Sequence, residues 1–335
     1  MAYITLNKKH FFHNLDIIAK KTKSKNKIAL VLKDNAYGHG LLEVASMARE
    51  YGIQKAVVRC QVEAMMVRDF FQSILVLSEI PTQKDSKIHY TINDKNDIKV
   101  FPEQTKVHLK IDTGMGRNGI KMDELKETLN LIQEYNLDLQ ALFTHHSSAD
   151  ESNNIYSQQK AYFEQLKQVC TTQLHKKIAF HSCNSSALMR EENFTEDIAR
   201  VGIAAYGCLD MPQKYANHNF KPILSLYAEK ISSRSLQKGE CVGYGATFKA
   251  SKNCTISTYD IGYADGFFRA CSNTYKTPDG ISIVGRISMD NSSFATTQKE
   301  LLLFNDARKV ALHVKTISYE ILTALKPYIK RKILG

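Results

Sequence analysis

Nowhere in the 335 residues does an uncharged apolar run reach the about 18 residues that a membrane-spanning helix needs. The N-terminal MAYITLNKKHFFHNL also carries charge where a signal peptide needs an apolar region, so a cytoplasmic location is the expectation. No CxxC pair occurs among the seven cysteines, Cys60, Cys170, Cys183, Cys208, Cys241, Cys254 and Cys271. That odd, scattered set argues against a disulfide framework and against a structural zinc site, and reduced thiols are expected. Internal repeats, low-complexity tracts and long flexible linkers are missing as well. So is any nucleic-acid reader motif or basic groove with stacking aromatics. The formal charge of +11 comes from 45 Lys and Arg against 34 Asp and Glu, densest in the C-terminal KPYIKRKILG. It therefore reads as solvated surface that helps to draw in small anions, with no nucleic-acid partner and no membrane partner expected.

A chain of this length, 43% hydrophobic, holds one large domain and a smaller one with ample core. Short β-branched runs at 27–33, 55–60, 73–79, 88–93, 106–112, 138–144, 177–183 and 197–203 predict eight strands. Helical periodicity at 41–52, 61–71, 122–136 and 154–173 fills gaps between them, and the helix after the third strand is poorly marked. Eight such alternations favour a closed (β/α)8 TIM barrel over an open sheet. From about Asn219 the pattern changes to β-rich segments, PILSLYAEKISS, GECVGYGATF, NCTISTYDIGY and GISIVGRISMD, with a last helix at 317–326. This is a second, mainly β domain.

The most pointed chemistry lies at the end of the first strand. In KIALVLKDNAYGHG, residues 27–40, an apolar run stops on Lys33, where partial desolvation would lower the amine's pKa and free it as a nucleophile or Schiff-base former. The alternative is a solvated lysine at a strand end. The loop behind it offers the Tyr37 hydroxyl and backbone made pliable by Gly38 and Gly40. In a barrel, ligand-binding residues belong in the loops that follow strands. Lys33 and Tyr37 follow strand one, Arg117 strand five, His145 and His146 strand six, Asn184 and Ser185 strand seven, while Arg200 with Gly202 and Ile203 ends strand eight. Ser185 and the Gly202 amide suit a phosphate.

Two other motifs compete. Gly114-Met115-Gly116-Arg117-Asn118-Gly119 is formally GxGxxG, but the next strand ends in Thr144-His145-His146 where a ribose-binding acid should stand. A metal site built on His145, His146, Asp150 and His181 is disfavoured, because adjacent histidines diverge on a strand; no metal is expected.

Taken in order, VLKDNAYGHG, LKIDTGMGRNG, LFTHHSSAD, HSCNSSAL, ARVGIAAYG, VGYGATF, IGYADG and GRISMDN resemble the alanine racemases, pyridoxal-phosphate enzymes of fold type III. The resemblance spans nearly the whole chain. It implies a barrel over 8–215 and a C-terminal domain over 216–335 with residues 1–7, a homodimer with shared active sites, and D-alanine production for the cell wall. It implies that Lys33 carries pyridoxal 5'-phosphate and acts as one catalytic base, with Tyr244 of the partner subunit as the second. Tyr37, Asn184, Ser185, Gly202 and Ile203 would bind the cofactor, and Arg200 would face its pyridine nitrogen with His145 orienting Arg200 and Tyr244. Arg117 and the Met289 amide would hold the substrate carboxylate, and Tyr263 and Asp290 would narrow the entrance to a small amino acid. Lys110 matches a lysine often carbamylated in the family; otherwise it is an outward-pointing strand lysine.

Two departures stand out. Asp34 replaces the family's usual small residue after the lysine. The family's C-terminal phosphate-binding tyrosine has no counterpart near Lys332 and Ile333, with Tyr328 out of register, so weaker cofactor retention is expected. Functions that would share these residues are a broad-specificity or serine racemase, which would differ at Tyr263 and Asp290, and a non-catalytic pyridoxal-phosphate carrier, which would lack the second domain. A decarboxylase of this fold type would need an acidic residue in place of Arg200.

Overall fold

The computed structural model describes residues 1–173, 176–216 and 218–335. All eight expected barrel strands form: Ile28–Val31, Lys55–Val58, Ser73–Val76, Ile88–Ile92, Lys106–Lys110, Asp138–Phe143, Ala179–His181 and Ala199–Val201. Each pairs in parallel with its predecessor, except that the eighth pairs with the first. The seventh and eighth are joined by Asp197 N donating to Phe180 O (3.2 Å) and Arg200 N donating to Cys183 O (2.9 Å), which nearly closes the ring.

Helices cover the outside for the usual reason. In Leu41–Tyr51, the residues Leu41, Val44, Ala45, Met47, Ala48 and Tyr51 are buried along one face, and Gly52 at φ 99° ends the helix in the left-handed region. The poorly marked segment after Ser73–Val76 contains no helix.

A second sheet runs in the order Ser292–Phe294, Cys254–Tyr259, Leu224–Leu236, Tyr3–Asn7, Lys330–Leu334, with Glu300–Phe304 also on Leu224–Leu236. Two segments differ from expectation. GISIVGRISMD makes only isolated bridges, because Gly280 and Gly285 take positive φ and break the extended run. The helix Ala307–Val314 has no counterpart among the expected elements, although Asp306 caps it by accepting from Arg308 N (3.0 Å). The seven cysteines are free. The basic C-terminal cluster is partly structural: Lys332 lies 3.4 Å from the centroid of the Tyr3 ring, and Arg331 donates to Gly38 O in the loop after the first barrel strand.

The barrel interior holds a polar column. His89 Nδ1 meets His108 Nε2 at 3.0 Å, His108 Nδ1 meets His181 Nε2 at 2.9 Å, and His181 Nδ1 meets Arg200 Nη1 at 2.5 Å. A guanidinium can only donate, so the His181 Nδ1 accepts, and each ring in turn carries its proton on Nε2. All three must then be neutral. Burial, reinforced by His89 and Arg200, holds His108 well below the histidine range, and burial with Arg200 and His108 does the same for His181. Burial, with Lys106 adding to it and Asp138 opposing, brings His89 down to about 4. Burial likewise lowers His39 to about 4 and His146 to about 3.

These shifts fix the sign of the acid response. The unfolded chain takes up protons on His89 and His39 near their ordinary value of 6.5, whereas the folded chain refuses them until about 4. Stability is thus fully present above 6.5 and falls as pH drops through that window, each such group adding up to about 1.4 kcal/mol per pH unit. Urea unfolding midpoints measured across the window should fall toward acid, and His89→Gln should flatten the slope; an unchanged slope counts against a neutral column.

Candidate active site

At the C-terminal mouth of the barrel the strand-following loops enclose a cavity of about 530 Å³. Its first wall is the turn Lys33–Tyr37, wound left-handed: Asp34, Asn35, Ala36 and Tyr37 have φ of 55°, 56°, 52° and 54°. Asp and Asn tolerate this region, but Ala36 and Tyr37 carry strain of about 1–2 kcal/mol each. Packing holds the turn in place. Gly38 follows it so closely under the helix Ser318–Ala324 that a Cβ would lie 1.9 Å from Leu322 O, and Arg331 Nη2 donates to Gly38 O at 2.8 Å. Lys33 and Tyr37, one turn apart, both line the cavity.

Tyr37 ends against the last barrel strand, where a Cβ on Gly202 would come within 2.6 Å of its hydroxyl. Its ring packs between Tyr206 and Tyr319, at 5.1 and 5.7 Å between centroids. Burial first, then Tyr319, pushes the Tyr37 phenol above its usual range, so it stays a hydrogen-bond donor. Beside it the Gly202 and Ala204 amides converge on Ser185 Oγ at 3.1 and 3.3 Å, and the Ile203 amide donates to no protein atom among the described residues. Asn184 Oδ1 caps the helix Ser185–Arg190 by accepting from Ala187 N at 2.9 Å. Hydroxyls and amides gathered in one corner suit an acceptor such as a phosphate.

Across the cavity Arg200 is buried beneath Phe143, its guanidinium carbon 5.0 Å from the ring centroid. Besides His181 it donates to Thr144 O (2.7 Å), His181 O (3.0 Å) and Ser182 O (3.2 Å). Burial brings its pKa down to about 10, so it remains a cation. His145 lines the cavity, and among the described residues the imidazole hydrogen-bonded to Arg200 is that of His181. His146 diverges from His145 as anticipated, buried edge-on against Tyr156.

Lys110 faces inward, 7% exposed, and donates to Asn118 Oδ1. The outward-pointing alternative is thereby removed. Burial first, then Arg117 and Arg200, brings it down to about 8, with Asp112 acting the other way. Arg117 is exposed at the cavity edge. Its GMGRNG loop folds around its own chain: Asp112 Oδ1 accepts from the amides of Gly114 and Met115 (2.9 Å each), and Oδ2 from Gly116 (3.0 Å). Those amides are thus not turned toward a dinucleotide.

The cations Lys33, Arg59, Lys110, Arg117 and Arg200 line this space against one carboxylate, Asp34. This lining favours an anionic ligand. Sequence reasoning missed Arg59, Asn93 and Asn118, and above all Tyr319. The expectation that no C-terminal tyrosine reaches the site is corrected here: Ile333 is 41% exposed on an edge strand, but Tyr319, in the helix Ser318–Ala324, lines the cavity beside Tyr37. The tyrosine stands one element earlier than the expected place, so the weaker retention inferred from its absence loses its basis.

Four expected residues stay outside. Tyr244, Tyr263 and Met289 are 67%, 40% and 54% exposed, and Asp290 is exposed too. They share one face of the second domain, because Tyr263 N donates to Ser288 O (3.1 Å), Ala264 N to Met289 O (2.9 Å), and the Tyr244 loop packs on Arg286.

The donor set fits pyridoxal phosphate on these observations: a cradle with hydroxyls and an unengaged amide, a lysine one turn away, and a buried cation opposite. Known proteins point the same way. Residues 6–210 match the alanine racemase N-terminal domain and residues 223–333 the C-terminal domain. An alanine racemase from a Nitratiruptor species is 43% identical over 335 residues, covering 99% of each chain. The crystal structure of alanine racemase from Bacillus anthracis with bound L-Ala-P superposes with a TM-score of 0.90 at 27% identity, over 100% of this chain and 95% of that one. Histidine racemase from Leuconostoc mesenteroides subsp. sake has a TM-score of 0.87 at 27% identity, over 100% and 98%. Matched in both domains and along its whole length, the chain belongs to the alanine racemase family of pyridoxal-phosphate-dependent amino-acid racemases.

Proposed function

We propose that the protein is a cytoplasmic, homodimeric alanine racemase that interconverts L-alanine and D-alanine with Lys33 and Tyr244 as its two bases, supplying D-alanine for peptidoglycan. The observation that carries this reading is the division of the expected residues between two surfaces. Lys33 and the anion cradle share the cavity, whereas Tyr244, Tyr263, Met289 and Asp290 are exposed together on the other domain. A two-fold contact that laid this face over the partner's barrel mouth would complete both sites at once.

Pyridoxal phosphate, held by Lys33, Tyr37, Asn184, Ser185, Arg200, Gly202 and Ile203, supplies the electron sink that makes a substrate Cα–H acidic. The side chains do the rest. Racemisation needs a proton removed from one face and returned to the other, so Lys33 Nζ serves one face and the partner's Tyr244 Oη the opposite one. Arg200, a permanent donor with no carboxylate among its hydrogen-bond partners, would keep the pyridine nitrogen an acceptor and so limit side reactions. Arg117, with no partner among the described residues, offers its planar fork to the substrate carboxylate, aided by the Met289 amide.

Lys110 completes this charge pattern as a carbamate. Its neutral amine adds to CO2 and releases a proton, turning a cation beside Arg117 into an anion that can hold it; a pKa near 8 keeps the reactive form accessible. Tyr263 and Asp290 would restrict the entrance to small side chains. The similarity to a histidine racemase makes substrate range the point on which a broad-specificity or serine racemase differs from this reading. A non-catalytic carrier is disfavoured by the second domain, and a decarboxylase by Arg200.

Purified protein with added pyridoxal phosphate should convert L-alanine to D-alanine faster than L-serine or L-histidine. Lys33→Ala should abolish conversion and Tyr244→Phe should reduce it by roughly 10²–10⁴-fold. No conversion of alanine by cofactor-loaded wild type sinks the assignment. Mixing the two inactive variants should restore about a quarter of wild-type activity, since half the random dimers carry one intact site of two; no recovery would place Lys33 and Tyr244 in one subunit. Incubation with ¹³C-bicarbonate should give a carbamate signal in ¹³C NMR that Lys110→Ala lacks, and its absence from wild type would remove the carbamate.

A further inference from the structure

The turn Lys33–Tyr37 sets how far the cofactor-bearing lysine stands from the phosphate-facing tyrosine, and four successive left-handed residues do not hold that shape unaided. Inside the turn Ala36 N donates to Leu32 O and Gly38 N to Asp34 O, which leaves the Asn35 amide without an internal acceptor. Glu63 supplies it. This residue sits in the first turn of the helix Gln61–Val67, after the second barrel strand, and lies outside the cavity lining. Its Oε1 accepts from Asn35 N at 3.2 Å and its Oε2 from Arg59 N at 2.8 Å. The Arg59 side chain returns across the same gap, with Nη1 donating to Asp34 Oδ1 at 3.2 Å. One carboxylate thus ties two loops by their backbones, and one ion pair ties them by their side chains.

We propose that Glu63 is a positioning residue of this site: its carboxylate, backed by the Arg59–Asp34 pair, clamps the left-handed turn and so fixes Tyr37 at the phosphate cradle. The inference rests on the reading of the cavity as a pyridoxal-phosphate site. It also gives Asp34 a use. The carboxylate that departs from the family pattern beside Lys33 is engaged by Arg59 and belongs to the clamp. Only a carboxylate serves both amides; a glutamine in the same place would accept from one and oppose the other with its own N–H.

The test compares wild type, Glu63→Gln and Glu63→Ala as apoproteins titrated separately with pyridoxal phosphate and with pyridoxal, which lacks the phosphate. Hydrogen exchange of the Asn35 amide is followed in parallel. Glu63→Ala should lose about tenfold in affinity for pyridoxal phosphate, and Glu63→Gln a smaller factor. Affinity for pyridoxal should change less than about twofold, and the Asn35 amide should lose protection in the same order. Unchanged pyridoxal phosphate affinity, an equal loss for both ligands, or unaltered exchange at Asn35 would each overturn the clamp. If Glu63→Ala does not fold, Glu63→Gln decides alone. A wild type that binds neither ligand refutes the cofactor reading, which is a different failure.

Discussion

A charged guanidinium buried in the middle of the barrel governs what can surround it. Arg200 finds three carbonyls and one imidazole nitrogen but no carboxylate in its hydrogen-bond shell, so its charge is solvated and not cancelled. The strands respond with groups that accept without ionising. His181 must face Arg200 with a lone pair, and that choice propagates through His108 to His89. The interior is therefore polar, ordered in one direction and intolerant of extra protons. On its other side the same cation helps to lower Lys110 and makes the cavity a place where anions gain.

Handedness imposes the second constraint. A lysine at a strand end is ordinarily free to wander, yet here it begins a strained turn held by Glu63 below, Leu322 and Arg331 above, and Gly202 at its tip. Strain of this kind persists only where neighbours over-determine it, and these contacts come from three separate stretches of chain. The cavity is thus shaped by elements that contribute few of its reacting groups.

Much of this was legible in the residues. The eight β-branched runs gave the barrel because strand burial on both faces leaves continuous apolar segments, and the loops after them carried the polar residues that the cavity collects. What escaped were relations across space. His89 and His108 drew no reading from the sequence and His181 entered only a disfavoured metal set; only the barrel's curvature brings the three into line. Tyr319 is hidden in a short helical stretch, SYEILTA, one element before the strand Lys330–Leu334 where the family pattern points. Asp and Asn tolerate left-handed backbone, but nothing in Ala36 or Tyr37 announces four such residues in succession. GISIVGRISMD has strand composition, and its glycines decided otherwise.

The strand Tyr3–Asn7 lies between Leu224–Leu236 and Lys330–Leu334, pairing Tyr3 with Tyr227 on one side and Lys330 on the other. During synthesis, then, this strand waits for the whole barrel to be made before its first partner, Leu224–Leu236, appears, and longer still for its second, Lys330–Leu334. The barrel can assemble while it waits. Arg331 belongs to that same late strand, and its contact with Gly38 O, across a sequence separation of 293, is one of the supports of the lysine-bearing turn. The strand Lys330–Leu334 therefore finishes both the second sheet and a cavity wall laid down far upstream of it, so that a nascent chain with a complete barrel still lacks a finished site.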